Sequence, residues 1–429
     1  MSVQSGARVT RLQIDKADGA RARTRRAGSP AGTAFGRLCA IGFLAYCSYA
    51  ICRTPLLPLF ARDLGATPPM VGFVVGASTL TGILVKLPAG AWSDVLGRRP
   101  LLLLGTIVFA TMPFTYLGVT SLAALVAVRF VHGSATAIFG PVASAGVSDV
   151  APPAGRATWL STYSTVQGIG QALGPIIGGH LIASAQYGAA FVVAGALAVF
   201  TPFIAAGWPA SLPEVRPRSP GRLSRFTTGI AEVAREPLIL VTSLAQAAQF
   251  VLNGALNAFL PLFAHDVIGL SASQLGWLFA AQTVTTLAAR PLMGMLSDRV
   301  GRRGVILVGL TLCVSAVVFV SLATALPPLA MAVLLYAVGV AVTTAATSAF
   351  ITDLSRRTRY GAAHGVFGTI YDVGDALGPI LAGFLVAAIG YGPMFRIMAA
   401  IALTVTVAFY VVSKHVSRPL AAGDEGASA

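Results

Sequence analysis

The sequence predicts an all-α membrane protein in which twelve transmembrane helices form two six-helix bundles, and three observations predict it. Of 429 residues, 55% are hydrophobic and only 10% charged, whereas about a quarter of a soluble domain carries charge. Apolar stretches near the roughly 20 residues that cross a bilayer recur along the whole chain. The chain also repeats itself: Gly90-Ala-Trp-Ser-Asp94-Val-Leu-Gly97-Arg98-Arg99 returns 204 residues later as Gly294-Met-Leu-Ser-Asp298-Arg-Val-Gly301-Arg302-Arg303. At the same offset Gly170-Gln-Ala-Leu-Gly174-Pro175-Ile-Ile-Gly178-Gly179 returns as Gly374-Asp-Ala-Leu-Gly378-Pro379-Ile-Leu-Ala-Gly383, and Tyr187-Gly188 as Tyr391-Gly392. A period this long marks a duplicated domain, not a solenoid.

The elements follow in order. Residues 1–37 are rich in arginine; with Asp15 and Asp18 present and a multi-span body behind them, they read as a disordered basic cytoplasmic tail rather than a transit peptide. Spans 1 to 6 are expected near 38–60, 72–92, 101–120, 123–147, 159–184 and 188–208, making an N-terminal bundle over 38–208. Residues 209–237 hold Pro213, Pro217 and Pro220 among arginines and read as a cytoplasmic linker. Spans 7 to 12 are expected near 238–264, 273–294, 304–324, 329–351, 361–388 and 393–413, a C-terminal bundle over 238–413. Residues 414–429 form a second cytoplasmic tail.

Charge sets the orientation. Placing both termini in the cytoplasm sends nearly all of the 30 Lys and Arg residues to that side; only Arg53, Arg62, Lys86, Arg129, Arg290 and Arg396 fall elsewhere. This positive-inside bias implies a multi-pass protein of the inner cell membrane, and it accounts for the sequence pI near 10.4. No basic face with interleaved aromatics exists outside the loops, so nucleic acid is not a partner; the lipid bilayer is. Cys39, Cys47, Cys52 and Cys313 all fall inside expected spans and read as small buried residues. His180 and His364 lack ligand spacing, so no metal is expected. Gly168-Ile-Gly170 does not follow a strand, and neither a Walker loop nor a nucleophile elbow occurs. No catalytic residue, enzyme activity or cofactor is expected, and nothing demands more than a monomer.

Six spans separate the copies of the repeated loop, so both lie on one side and the halves are parallel repeats about an axis along the membrane normal. In each copy the chain leaves a span near Gly90 or Gly294, turns at Gly97 or Gly301 and presents Arg98 or Arg302. Asp94 and Asp298 can meet a neighbouring helix N-terminus, where the dipole favours an anion; such a contact is a conformational latch. The competing reading is a generic basic loop.

These features resemble the major facilitator superfamily over residues 36–413. The resemblance lies in the loop signature of both halves, in the span 4 signature around Arg129-Phe-Val-His132-Gly133, and in the span 5 signature at Gly170, Gly174, Pro175, Gly178 and Gly179, which is similar to that of exporters exchanging drugs for protons. It implies the major facilitator fold, with spans 1, 4, 7 and 10 lining a central cavity, and transport of a small-molecule substrate coupled to protons. Gly170, Gly174 and Gly178 share one helix face and allow close backbone approach, while Pro175 can bend the helix. Tight packing alone would account for them too.

A charge near the bilayer centre costs about 2.5–3.5 kcal/mol on insertion scales and needs a reason. Arg53 and Arg129 are expected at similar depth, with His132 one turn away, as a basic substrate pocket; arginine binds carboxylate or phosphate in a fork. Snorkelling to the interface is the alternative. Many cation exporters of the family resemble one another in a span 1 acid, and here span 1 has none before Asp63. Asp372 and Asp375 are the only carboxylates deep in a span; three residues apart, they share a face and are the proton-coupling candidates. The resemblance places spans 2 and 11 side by side, so Lys86 can pair with Asp372, either in coupling or as a static brace. Arg290, before Pro291, reads as a brace. Gln246, Gln249, Asn253 and Asn257 lie on one face of span 7, suited to a water-filled substrate cavity or to interhelical hydrogen bonds.

The function expected is proton-coupled efflux of a small organic molecule, drug or metabolite, by alternating access. Uptake of an organic anion by symport or uniport is the alternative within the fold, and a non-transporting receptor or scaffold the alternative outside it.

Overall fold

A computed structural model describes residues 30–183, 186–208, 236–355 and 360–415. The expected linker and second tail lie almost wholly outside these residues. Among them every regular element is helical, as lipid requires of a spanning chain whose backbone groups must find partners within it.

Span 1 is α1 (Pro30–Ile51) followed by α2 (Leu56–Asp63); span 2 is α3 (Pro68–Val95), span 3 α4 (Arg98–Thr115), span 4 α5 (Leu122–Val150) and span 5 α6 (Arg156–Ala183). Span 6 is α7 (Tyr187–Ala198) with α8 (Phe200–Ala206). The second half runs α9 (Pro237–Asp266), α10 (Ala272–Val300), α11 (Arg302–Leu322), α12 (Leu326–Leu354), α13 (Tyr360–Ile389) and α14 (Tyr391–His415). Local chemistry sets the ends. Proline occupies the first turn of α3, α9 and α12, where its missing N–H costs nothing. Ser271 caps α10 in a reciprocal box with Gln274. Gly97 and Gly301 turn the repeated loops at φ +84° and +101°, a region other residues rarely enter.

Two features depart from the expected elements. The first helix starts at Pro30, inside the segment expected as tail, because Ala34 and Leu38 are buried and the Arg37 guanidinium donates to the Gly207 carbonyl at the end of α8. Span 1 is broken at residues 52–55, where Pro55 removes a donor and disfavours helix at the residue before it. Ten of the described helical segments are long and apolar enough to cross a membrane by length and composition. The two remaining expected spans, α6 and α10, are full-length helices whose polar faces lower their hydropathy.

The halves meet along two interfaces related by the 204-residue offset. On one, a Cβ at Gly72 would stand 2.3 Å from the Pro379 carbonyl oxygen, and one at Gly383 2.6 Å from that of Pro68. On the other, a Cβ at Gly276 would stand 2.3 Å from the Pro175 oxygen, and one at Gly179 2.4 Å from that of Ala272. These backbone approaches lie at the end of the bundle opposite the repeated loops, here called the far end. There Arg62 pairs with Asp266 across the halves, Tyr187 donates to Asp63 (2.6 Å) and Tyr391 to Asp266 (3.2 Å). At the basic end, which carries the repeated loops, nothing stands within 4 Å of a Cβ at Gly294 or Gly365, and Trp92, Leu292 and Leu296 are exposed. The halves close at one end and part at the other.

Candidate functional site

Between the halves lies a cavity of about 530 Å³, within the range of small-ligand sites. The close contacts of α3 with α13 and of α6 with α10 seal it toward the far end. Its wall draws on α1, α3, α6, α9, α10 and α13, with Thr136 of α5 and Val340 and Thr344 of α12. Spans 2, 5, 8 and 11 thus contribute beside the expected 1, 4, 7 and 10.

Asp372 and Asp375 sit in this wall, 8% and 9% exposed. Asp372 accepts from Lys86 Nζ at 2.5 Å. Asp375 accepts from Thr79 Oγ1 at 3.1 Å and Asn253 Nδ2 at 2.9 Å, and its Oδ2 stands 3.6 Å from Arg53 Nη2. Lys86, Thr79 and Arg53 belong to the first half and the two acids to the second, so each carboxylate links the halves. The break in span 1 sets the backbone that carries Arg53. Its Nε is buried without a hydrogen-bond partner, so its donors are only partly used.

Arg129 and His132 were expected beside Arg53 in a common pocket, and the structure places them elsewhere. Both are fully buried and neither lines the cavity. Arg129 Nη2 donates to Ser78 Oγ at 2.7 Å and Nη1 to Tyr116 OH at 3.4 Å, while the guanidinium lies 5.6 Å from the Tyr49 ring centroid. His132 Nδ1 is 3.1 Å from the same Tyr116 hydroxyl. Tyr49 and Ser78 do line the cavity, so Arg129 stands one layer behind the wall. The cause is close packing of α5 on α3: a Cβ at Gly133, the residue after His132, would meet the Ser78 backbone at 2.5 Å.

On α9, Gln249, Asn253 and Asn257 line the cavity, whereas Gln246 is buried and accepts from Thr347 Oγ1 at 2.5 Å. Gln249 donates to Tyr336 OH at 3.3 Å. Gln249 and Asn253 thus face the cavity and also hydrogen-bond to other helices, Gln249 to Tyr336 and Asn253 to Asp375.

The repeated loops make matching contacts. Arg98 Nε donates to Asp149 Oδ2 and Arg302 Nε to Asp353 Oδ2, both at 2.9 Å. Arg98 Nη1 also reaches Ser93 Oγ at 2.6 Å and Arg302 Nη1 Ser297 Oγ at 3.2 Å. Arg302 further pairs with Asp298; the side chain of Asp94 lies outside the described residues. Each of these contacts stays within one half. Gly90 and Gly294 stand inside the last turns of α3 and α10, ahead of the turns at Gly97 and Gly301.

The span 5 signature divides by face. Cβ atoms at Gly170 and Gly174 would come within 2.5 Å of Phe43 O and Ala50 Cβ, and one at Gly178 within 3.2 Å of Ile51 O, all on α1. Gly179 and Pro175 instead face α10 across the halves. The motif packs its own bundle with one face and holds the partner bundle with the other.

Sequence reasoning passed over Gln167, Gln171, Gln282 and Tyr49 as cavity residues, and it read Arg290 as a brace; Arg290 lines the cavity and is exposed to it. The 204-residue offset carried the signal, since Tyr49 is the counterpart of Asn253, Arg53 of Asn257 and Lys86 of Arg290.

Comparison with known proteins accords with this architecture. The family model of the Major Facilitator Superfamily matches residues 38–272 and 242–428. An uncharacterised MFS-type transporter of Methanocaldococcus jannaschii is 23% identical over 381 residues, 88% of this chain and 96% of that protein. The staphylopine export protein of Staphylococcus aureus is 25% identical over 260 residues, 60% of this chain and 64% of that protein. Among solved structures, an inward-facing, occupied bacterial homologue of the human lysosomal transporter Spinster superposes with a TM-score of 0.75 at 18% identity, covering 91% of this chain and 97% of the other. A helical body that crosses the membrane many times, two halves in pseudo-symmetry, a central polar cavity and the family match over nearly the whole chain lead to one conclusion: the chain belongs to the Major Facilitator Superfamily, as a secondary transporter of a small molecule and not an enzyme.

Proposed function

We propose that this protein exports a small organic molecule in exchange for protons by alternating access. The observation that carries the reading is the position of Asp372 and Asp375, which among the described residues are the carboxylates remote from helix ends, and which each engage the opposite half across the cavity. A carboxylate that binds a proton loses its attraction to a cation. Protonation of Asp372 frees Lys86, and protonation of Asp375 frees Arg53, so the proton removes the links that favour the arrangement closed at the far end. A ligand shifts such an equilibrium only by its differential affinity for the two states, and a proton with this placement has one.

The positive-inside bias supports a cytoplasmic basic end, which makes the arrangement open at that end the one that loads cargo from the cytoplasm. Export is supported by the span 5 signature and by the similarity to the staphylopine export protein. The loops at Arg98 and Arg302, whose contacts with Asp149, Ser93, Asp353, Ser297 and Asp298 each stay within one half, are the latches that close the basic end in the opposite state.

The test is flux in proteoliposomes under an imposed pH gradient, screened with radiolabelled organic cations, anions and neutral compounds. Wild-type protein moves at least one of them against its gradient, and Asp372→Asn with Asp375→Asn abolishes the gradient-driven component. Undiminished gradient-driven flux in the double variant rejects the proposal.

A further inference from the structure

The pseudo-symmetry of the cavity lapses at several positions, and at one of them the lapse leaves a charge uncompensated. Lys86 on α3 corresponds to Arg290 on α10, and Asp372, which holds Lys86, corresponds to Gly168 on α6. The cation is thus duplicated and its carboxylate is not. Gly168 does face α10: a Cβ there would stand 3.0 Å from a methyl of Leu287, one turn before Arg290. Arg290 lines the cavity, and it makes no ion pair or hydrogen bond with the described residues. The wall accordingly holds three cations, Arg53, Lys86 and Arg290, against two carboxylates, Asp372 and Asp375, with Arg129 adding positive charge one layer behind. A guanidinium in a recess of low dielectric keeps its charge and gains most from an anion that enters with it.

We infer that Arg290 is the substrate's anion site, and that the cargo is an organic monoanion whose carboxylate, sulfonate or phosphate ester group takes the place that Gly168 leaves empty. Arg53, whose guanidinium stands 3.6 Å from Asp375 Oδ2, lines the same cavity as a second cation. The rest of the cargo lies against Phe250 and Phe279, which suits an aromatic or amphiphilic body. The inference rests on the transport reading above and names its substrate class.

Binding of 1-naphthoate and of 1-naphthylmethylammonium, matched in size and opposite in charge, tests it by isothermal titration of the full-length protein in detergent. The expected result is that naphthoate binds at least tenfold more tightly than the ammonium. Arg290→Gln weakens naphthoate at least tenfold, and Arg290→Lys, which keeps the charge, weakens it less than threefold. Gly168→Asp supplies the missing carboxylate to Arg290 at the cost of a small shift of the Leu287 tip, and weakens naphthoate at least tenfold. The inference is overturned if naphthoate does not bind wild-type protein, if the ammonium binds as well, or if Arg290→Gln and Gly168→Asp both leave naphthoate affinity unchanged in protein that elutes as a single folded species. These readouts involve no proton gradient, so they fail or succeed separately from the flux assay.

Discussion

At the scale of single residues, the charges in and behind the cavity wall divide into one held within its own half and others that meet across the seam between halves. Arg129 is held by Ser78, Tyr116 and the Tyr49 ring with no exposure at all. Lys86 and Asp372 instead meet across the seam between halves, with the lysine 42% exposed. A hydrogen bond to a charged group contributes about 1.5–3 kcal/mol, and removing one partner leaves the others buried and unpaired. Arg129→Gln is therefore predicted to destabilise the protein by about 2 kcal/mol, read as a lowered unfolding midpoint in detergent, whereas Arg53→Gln, with its single 3.6 Å contact, lowers it less. An equal loss from both variants contradicts the division. The sequence made Arg129 and His132 stand out as charged or titratable groups in an apolar span. It did not say which way they faced, because Ser78 and Tyr116, 51 and 13 residues from Arg129, reach it only through tertiary packing.

At the scale of elements, the far-end contact between halves is made of backbone. The four approaches at Gly72, Gly383, Gly276 and Gly179 bring a would-be Cβ to within 2.3–2.6 Å of a carbonyl oxygen, closer than any side chain tolerates. Overpacking costs about 1–3 kcal/mol, and here opening the far end relieves it, so the cost is felt by one conformation only. Gly72→Ala with Gly276→Ala is predicted to raise labelling of Asn257→Cys by a membrane-impermeant maleimide from the far side roughly tenfold, the factor that 1.4 kcal/mol gives. Unchanged labelling would falsify the assignment of these glycines to a closing contact. Helix positions were legible because hydropathy and the repeat agreed along most of the chain. The glycines of the span 5 signature were legible as one packing face, but neither α1 as the neighbour of Gly170, Gly174 and Gly178 nor α10 as that of Gly179 and Pro175 was, since a helical face does not name its neighbour. The break in span 1 was written at Arg53-Thr54-Pro55, where proline disfavours helix before it.

At the scale of the whole molecule, one offset of 204 residues relates the bundles, their loop contacts and both seams between them. The symmetry was readable from the sequence alone, and so were the places where it lapses, at Gly168 against Asp372 and Gln171 against Asp375. What these lapses do became readable only when the fold set α3 against α13 and α6 against α10. The central claim is that protonation of carboxylates on the seam exchanges one closed end for the other. Pulsed electron paramagnetic resonance in nanodiscs tests it most directly, in protein freed of Cys39, Cys47, Cys52 and Cys313 and spin-labelled at Thr120 and Thr324 on the far end, or at Leu96 and Val300 on the basic end. On acidification, the account predicts that the far-end distance lengthens while the basic-end distance shortens, and that Asp372→Asn with Asp375→Asn removes the response. Distances that stay fixed, or that change together in the same direction, would contradict it.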